Sequence, residues 1–103
     1  MKAMSPGQLY EAVLDALKSV KSGNLSQSNG WRDLYAQTHA ALAKAGVKLT
    51  DQQVQRLYWS EDLRTLWDQA EYVIERHYGR QGQRVVWPRR GEELRVVERK
   101  AMR

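Results

Sequence analysis

Residues 60–79 read S-E-D-L-R-T-L-W-D-Q-A-E-Y-V-I-E-R-H-Y-G. Within them Leu63, Leu66, Trp67, Ala70, Val73, Ile74 and His77 recur at spacings of three, one, three, three, one and three. An α-helix turns once in about 3.6 residues, so these positions share one side. Ser60 offers a hydroxyl for the N-cap, and Glu61 and Asp62 suit the positive end of the helix dipole. Gly79 suits the position just past the last turn. The stretch predicts a helix with one buried side, and a mostly α fold that packs around it.

Upstream, three further helices are expected. Ser5-Pro6-Gly7-Gln8 has the form of a capping box with proline in the first turn. Leu9, Tyr10, Val13, Leu14, Leu17 and Val20 then make an apolar stripe over about 6–22, ended by Gly23. Gly23 to Gly30 is a polar connection. Asn29 suits the cap of a second helix over about 30–45, in which Trp31, Leu34, Tyr35, Thr38, Ala41, Leu42 and Ala45 share a side, with Gly46 at its end. Thr50 and Gln53 form another capping box, opening a short helix over about 51–59 with Val54, Leu57 and Tyr58 inward.

After Gly79 the period changes from helical to alternating. Arg84-Val85-Val86-Trp87 and Leu94-Arg95-Val96-Val97 read as strands, and Pro88-Arg89-Arg90-Gly91 carries turn residues. Val85, Trp87, Leu94 and Val96 fall on one face of the hairpin. Arg84, Val86, Arg95, Val97 and Arg99 fall on the other, with Arg89 and Arg90 at the tip. The expected fold is therefore a four-helix single domain over 1–103 with a C-terminal β-hairpin. That α+β arrangement resembles a winged helix in outline only.

A chain of 103 residues supports one modest core. It has no cysteine and no phenylalanine, with four Trp and five Tyr supplying the aromatic bulk. The absence of cysteine excludes disulfides and thiolate metal sites. The N-terminal residues lack the apolar run of a signal peptide, and no stretch approaches the ~20 apolar residues of a membrane span. A cytoplasmic protein without a membrane partner is expected.

Catalytic signatures were sought and none emerges. His39 and His77 lie on different helices, and each is read as structural. Glu75 and His77, two apart, point to different sides of their helix. There is no H-E-x-x-H, nucleophile elbow, Walker loop or dinucleotide fingerprint. No catalytic residue, metal ligand or cofactor is assigned, and a non-enzymatic role is expected.

Charge carries the functional expectation. The net charge is +5. Residues 1–78 hold nine Lys/Arg and nine Asp/Glu, whereas residues 79–103 hold eight Lys/Arg and three Glu. Such a local excess points to an anionic partner. Arg80, Arg84, Arg89, Arg90 and Arg95 are the candidate phosphate contacts, on a ribbon of the kind that enters a DNA groove. Gln52, Gln53 and Arg56 follow Gly46 in a spacing that suggests a helix-turn-helix, although its apolar positions fall about two residues late for that unit. Gly79-Arg80-Gln81-Gly82 has the G-x-x-G form of KH loops, but it joins a helix to a strand and is read as a connection.

Glu61, Arg64, Asp68, Glu71 and Glu75 form a mostly acidic second stripe on the opening helix. It is read as a solvated face or as the seat of the arginine hairpin, with docking of a basic protein as the sharper option. The first functional expectation is a small nucleic-acid-binding or regulatory protein. The alternative is an adaptor or inhibitor that occupies a host protein's surface. By analogy of class, small phage and mobile-element anti-defence proteins, anti-CRISPR proteins among them, have this plain character. A homodimer through exposed Trp or Tyr faces is the third option.

Overall fold

The computed structural model describes residues 4–24 and 31–99, without the side chains of 21–24 and 31. The elements run α1 (Pro6–Asn24), α2 (Trp31–Lys44), α3 (Asp51–Trp59), α4 (Leu66–Gly79), β1 (Gln83–Val86) and β2 (Arg95–Glu98). The fold is the expected four helices followed by a two-stranded antiparallel hairpin. The expected Asn29 cap, most of the polar connection and the last four residues lie outside the described residues.

Local chemistry starts each helix. At α1 the Ser5 N–H donates to Gln8 Oε1 at 3.0 Å, and the Gln8 N–H donates back to Ser5 Oγ at 3.2 Å. At α3 Thr50 and Gln53 make the same reciprocal pair, at 2.9 and 3.1 Å. The end of α2 is a Schellman turn. The Val47 N–H reaches the Leu42 carbonyl and the Gly46 N–H reaches the Ala43 carbonyl, with Gly46 at φ +80°. Only glycine enters that conformation without a steric cost.

The start of α4 corrects the expectation. Thr65, not Ser60, is the cap, and its Oγ1 accepts the Asp68 N–H at 3.0 Å. Ser60 instead closes α3 through its own N–H to the Arg56 carbonyl, while its Oγ accepts the Asp62 N–H. That hydroxyl serves the turn after α3, five residues before the cap of α4 at Thr65. Residues 61–65 are therefore a connection, so Glu61 and Arg64 do not belong to the helix. Buried Gln69 fixes this connection, donating to the carbonyls of Leu57 at 2.9 Å and Leu63 at 3.1 Å. The far end also differs. The helix runs through Gly79 to a cap at Arg80, and the left-handed glycine is Gly82, at φ +75°.

The core lies where α1 packs against both α2 and α4. Leu9, Val13 and Leu17 of α1 meet Leu42 of α2, Leu57 of α3, and Ala70, Val73 and Ile74 of α4. Leu42 and Leu57 are each 1% exposed. Burying a leucine side chain stabilises by about 1.5–3 kcal/mol. Trp67 departs from its expected burial and is 63% exposed. Trp67 stands in the first turn of α4, where its neighbours Leu63 and Leu66 take the places against the core.

The hairpin pairs Gln83 with Glu98, Arg84 with Val97, Val85 with Val96 and Val86 with Arg95. Val85 is buried, and Trp87, Leu94 and Val96 pack against the core. The expected division of faces holds, since side chains alternate along a strand. The tip is closed by the Glu92 N–H to the Arg89 carbonyl at 3.0 Å, with Gly91 at φ +83°. That is the arrangement of a type II turn.

Candidate nucleic-acid interface

The hairpin leans on α4 and α1 through its apolar face. Its central anchor is Trp87. The indole N–H donates to Glu75 Oε2 at 2.9 Å, and the ring meets Tyr10 edge-on with centroids 6.0 Å apart. A hairpin seated by that face turns Arg84 and Arg95 outward, and both are exposed. Arg89 and Arg90 at the tip are also exposed.

Three carboxylates near the hairpin accept from donors other than arginine side chains. Glu75 holds the Trp87 indole, Glu92 accepts the backbone N–H of Arg89 at 2.9 Å, and Glu98 accepts from Gln83 at 3.3 Å. Among the described residues no arginine lies within 4.0 Å of a carboxylate oxygen; the ion pair found there is His39–Asp51, at 2.8 Å. The hairpin meets the acidic stripe of α4 at Glu75, which stays exposed, and the expected offset of that stripe by the hairpin arginines is not seen among the described residues. The contact is made by a tryptophan rather than by guanidinium groups.

The remaining acids of that face cluster around Tyr10. Glu71, Glu11 and Asp68 all raise the Tyr10 pKa, after burial, the largest cause. Burial also raises Glu71, and the charges of Asp68 and Glu75 raise it further. Glu71, Glu11, Tyr10, Trp87 and Leu94 line a cleft of about 320 Å³ between α1, α4 and the hairpin.

The other candidate residues are brought to a second region. Gln52, Gln53 and Arg56 line a groove with Gln55, Trp59, Ser60 and Tyr72. Gln53 also lines an adjoining groove with Glu75, Arg76, Gly79, Arg80 and Arg99. Arg99, the residue after β2, lines that second groove with Arg76 and Arg80. Arg80 is partly engaged, its Nη1 donating to the Lys48 carbonyl at 2.7 Å. Gln53 is engaged too, since its Oε1 accepts the Thr50 N–H.

The Gln53 engagement weighs against a helix-turn-helix reading, because the first turn of α3 is occupied in capping itself. Asp51, also in that turn, is an anion where phosphate would approach. The G-x-x-G segment is a connection, its turns closed by Gln81 N–H to the Tyr78 carbonyl and Gly82 N–H to the Gly79 carbonyl.

Tyr72, Arg76 and Arg99 were not among the sequence candidates for this surface. Tyr72 and Arg76 are four apart on α4, so they neighbour each other on the helix surface. That spacing was the available signal. The guanidinium carbon of Arg76 lies 5.3 Å from the Tyr72 ring centroid, and that of Arg56 lies 5.9 Å from it. Among the described residues no group of three His, Asp or Glu side chains is arranged to hold a metal ion, and no helix is long and apolar enough to cross a membrane.

No protein-family model, curated protein or solved structure matches the chain.

Proposed function

We propose that this chain is a small, non-enzymatic, nucleic-acid-binding or regulatory protein of the cytoplasm. Arg84, Arg89, Arg90 and Arg95 contact phosphates from the hairpin, and Arg80 and Arg56 extend the contact toward α3. The observation that supports it is that, among the described residues, no hairpin arginine lies within 4.0 Å of a carboxylate oxygen, while Glu75, Glu92 and Glu98 accept from neutral donors. That leaves the hairpin guanidinium groups available to an external anion. Phosphate contacts of this kind position a protein on nucleic acid without reading sequence. Fluorescence anisotropy on labelled duplexes of unrelated sequence tests the reading. R89A/R90A weakens binding to every duplex by a similar factor. Unchanged affinity in that variant removes the hairpin from the interface.

A second reading is favoured by Trp67, which is 63% exposed in the first turn of α4. Tryptophan and arginine are the residue types that dominate protein interfaces. In this reading the chain is an adaptor or inhibitor that blocks a host protein with an anionic surface, as anti-defence proteins of phage and mobile elements do. A stoichiometric partner that survives nuclease treatment, and is lost in W67A, supports it over the first. A homodimer through the same tryptophan shows as a doubled mass in light scattering.

A further inference from the structure

The groove between α3 and α4 combines two features that the hairpin lacks. Arginines from two different helices, Arg56 and Arg76, converge on one aromatic ring, Tyr72. Beside them Trp59 is 50% exposed, its indole N–H donating to Tyr35 Oη at 3.2 Å. That bond holds the indole by its edge.

The groove measures about 480 Å³, within the range of ~300–1,000 Å³ that takes a small organic ligand. It continues past Gln53 into the smaller groove lined by Arg76, Arg80 and Arg99. The lining carboxylate there, Glu75, is bonded to Trp87. The path thus has aromatic rings at one end and guanidinium groups along its length, with the Glu75 carboxylate among them.

We infer that this path binds a single strand of nucleic acid, with phosphates on Arg56, Arg76 and Arg99 and an unpaired base against the Trp59–Tyr72 wall. The inference rests on the nucleic-acid reading above and names a strand state and a site for it. Shape and chemistry both select the unpaired strand. A duplex is a convex rod whose bases are stacked on one another, so its phosphates meet protruding elements such as the hairpin. A single strand bends into a recess and exposes base faces, and aromatic rings interleaved with arginines are the usual platform for them. Guanidinium groups serve here better than ammonium groups, because they are planar and bond phosphate in a fork.

The test measures anisotropy of labelled oligo(dT), oligo(U) and a mixed-sequence duplex with the full chain. R56A/R76A weakens binding to the single strands at least tenfold and changes duplex affinity less than threefold. R56K/R76K keeps the charge and recovers only part of the loss. K18A/R32A removes the same charge from exposed positions on α1 and α2, and leaves single-strand affinity within threefold of the parent. Far-UV circular dichroism confirms that the variants fold. An equal loss on all three probes, or unchanged single-strand binding in R56A/R76A, overturns the groove assignment while leaving the hairpin reading in place. Failure of the parent chain to bind any of the three probes overturns both. Oligo(dT) and oligo(U) within threefold of each other place recognition on phosphate and base faces, whereas loss of the groove effect on both contradicts it.

Discussion

The Trp87 indole donates to the Glu75 carboxylate at 2.9 Å, joining the hairpin to the exposed side of α4. This contact decides which of the ribbon's two faces meets the helices. With the indole on the acid, the guanidinium groups of the same hairpin are turned to solvent. A neutral donor satisfies Glu75 without cancelling any of the positive charge in residues 79–103.

Trp87→Phe tests that contact. Phenylalanine keeps most of the packing on Tyr10 and removes the N–H. The expected loss is about 1 kcal/mol in urea unfolding, in line with the net value of one partly exposed hydrogen bond. Trp87→Ala also removes the ring and costs more.

The point at which α4 begins yields a second prediction. Thr65→Ala removes the hydroxyl that accepts the Asp68 N–H and costs about 0.5–2 kcal/mol. Ser60→Ala removes only a turn contact to the Asp62 N–H and costs less than Thr65→Ala. Equilibrium unfolding of the two variants ranks them, and the reverse order places the cap at Ser60.

Two groups give opposing pH dependences. Burial, and then the charge of Arg80, hold the His77 pKa below its ordinary 6.5. As pH falls below that value the unfolded chain takes up the proton first. Stability is therefore full above about pH 6.5 and declines as pH drops toward the folded pKa. Glu71 behaves in the opposite way, since burial and the charges of Asp68 and Glu75 raise it above 4.5. There the folded chain holds the proton longer, and stability declines as pH rises from about 4.5 through the raised value. His77→Gln flattens the acid side of the thermal-midpoint profile below pH 6.5. Glu71→Gln raises the midpoint by a few degrees at pH 7 and leaves it unchanged near pH 4. Thermal melts from pH 4 to pH 8 measure both.

Much of this architecture is written in local pattern. The two capping boxes, the Gly46 turn and the alternation across Val85, Trp87, Leu94 and Val96 each follow from neighbours within a few residues. What the pattern misplaced needed the tertiary context. Ser60 and Thr65 are both good caps in isolation, and the choice falls to Thr65 because Ser60 already closes α3. The burial of Gln69, 4% exposed, is also tertiary, because its amide donates to the carbonyls of Leu57 in α3 and Leu63 in the connection. Trp67 fits the helical period but is exposed, because Leu63 and Leu66 beside it fill the places against the core. For the candidate interface, the hairpin arginines were legible from charge alone. The meeting of Arg56 with Tyr72 and Arg76 was not, because α3 and α4 come together only through the connection that Gln69 fixes.

The central claim is that the hairpin arginines are held outward and unpaired so that they can displace counterions from an external polyanion. The salt dependence of duplex binding measures this most directly. Engagement of four hairpin arginines predicts a slope of about −3.5 in log affinity against log salt, at about −0.9 per neutralised phosphate. R89A/R90A lowers its magnitude by about 2. A slope near zero, or one that R89A/R90A leaves unaltered, contradicts the claim.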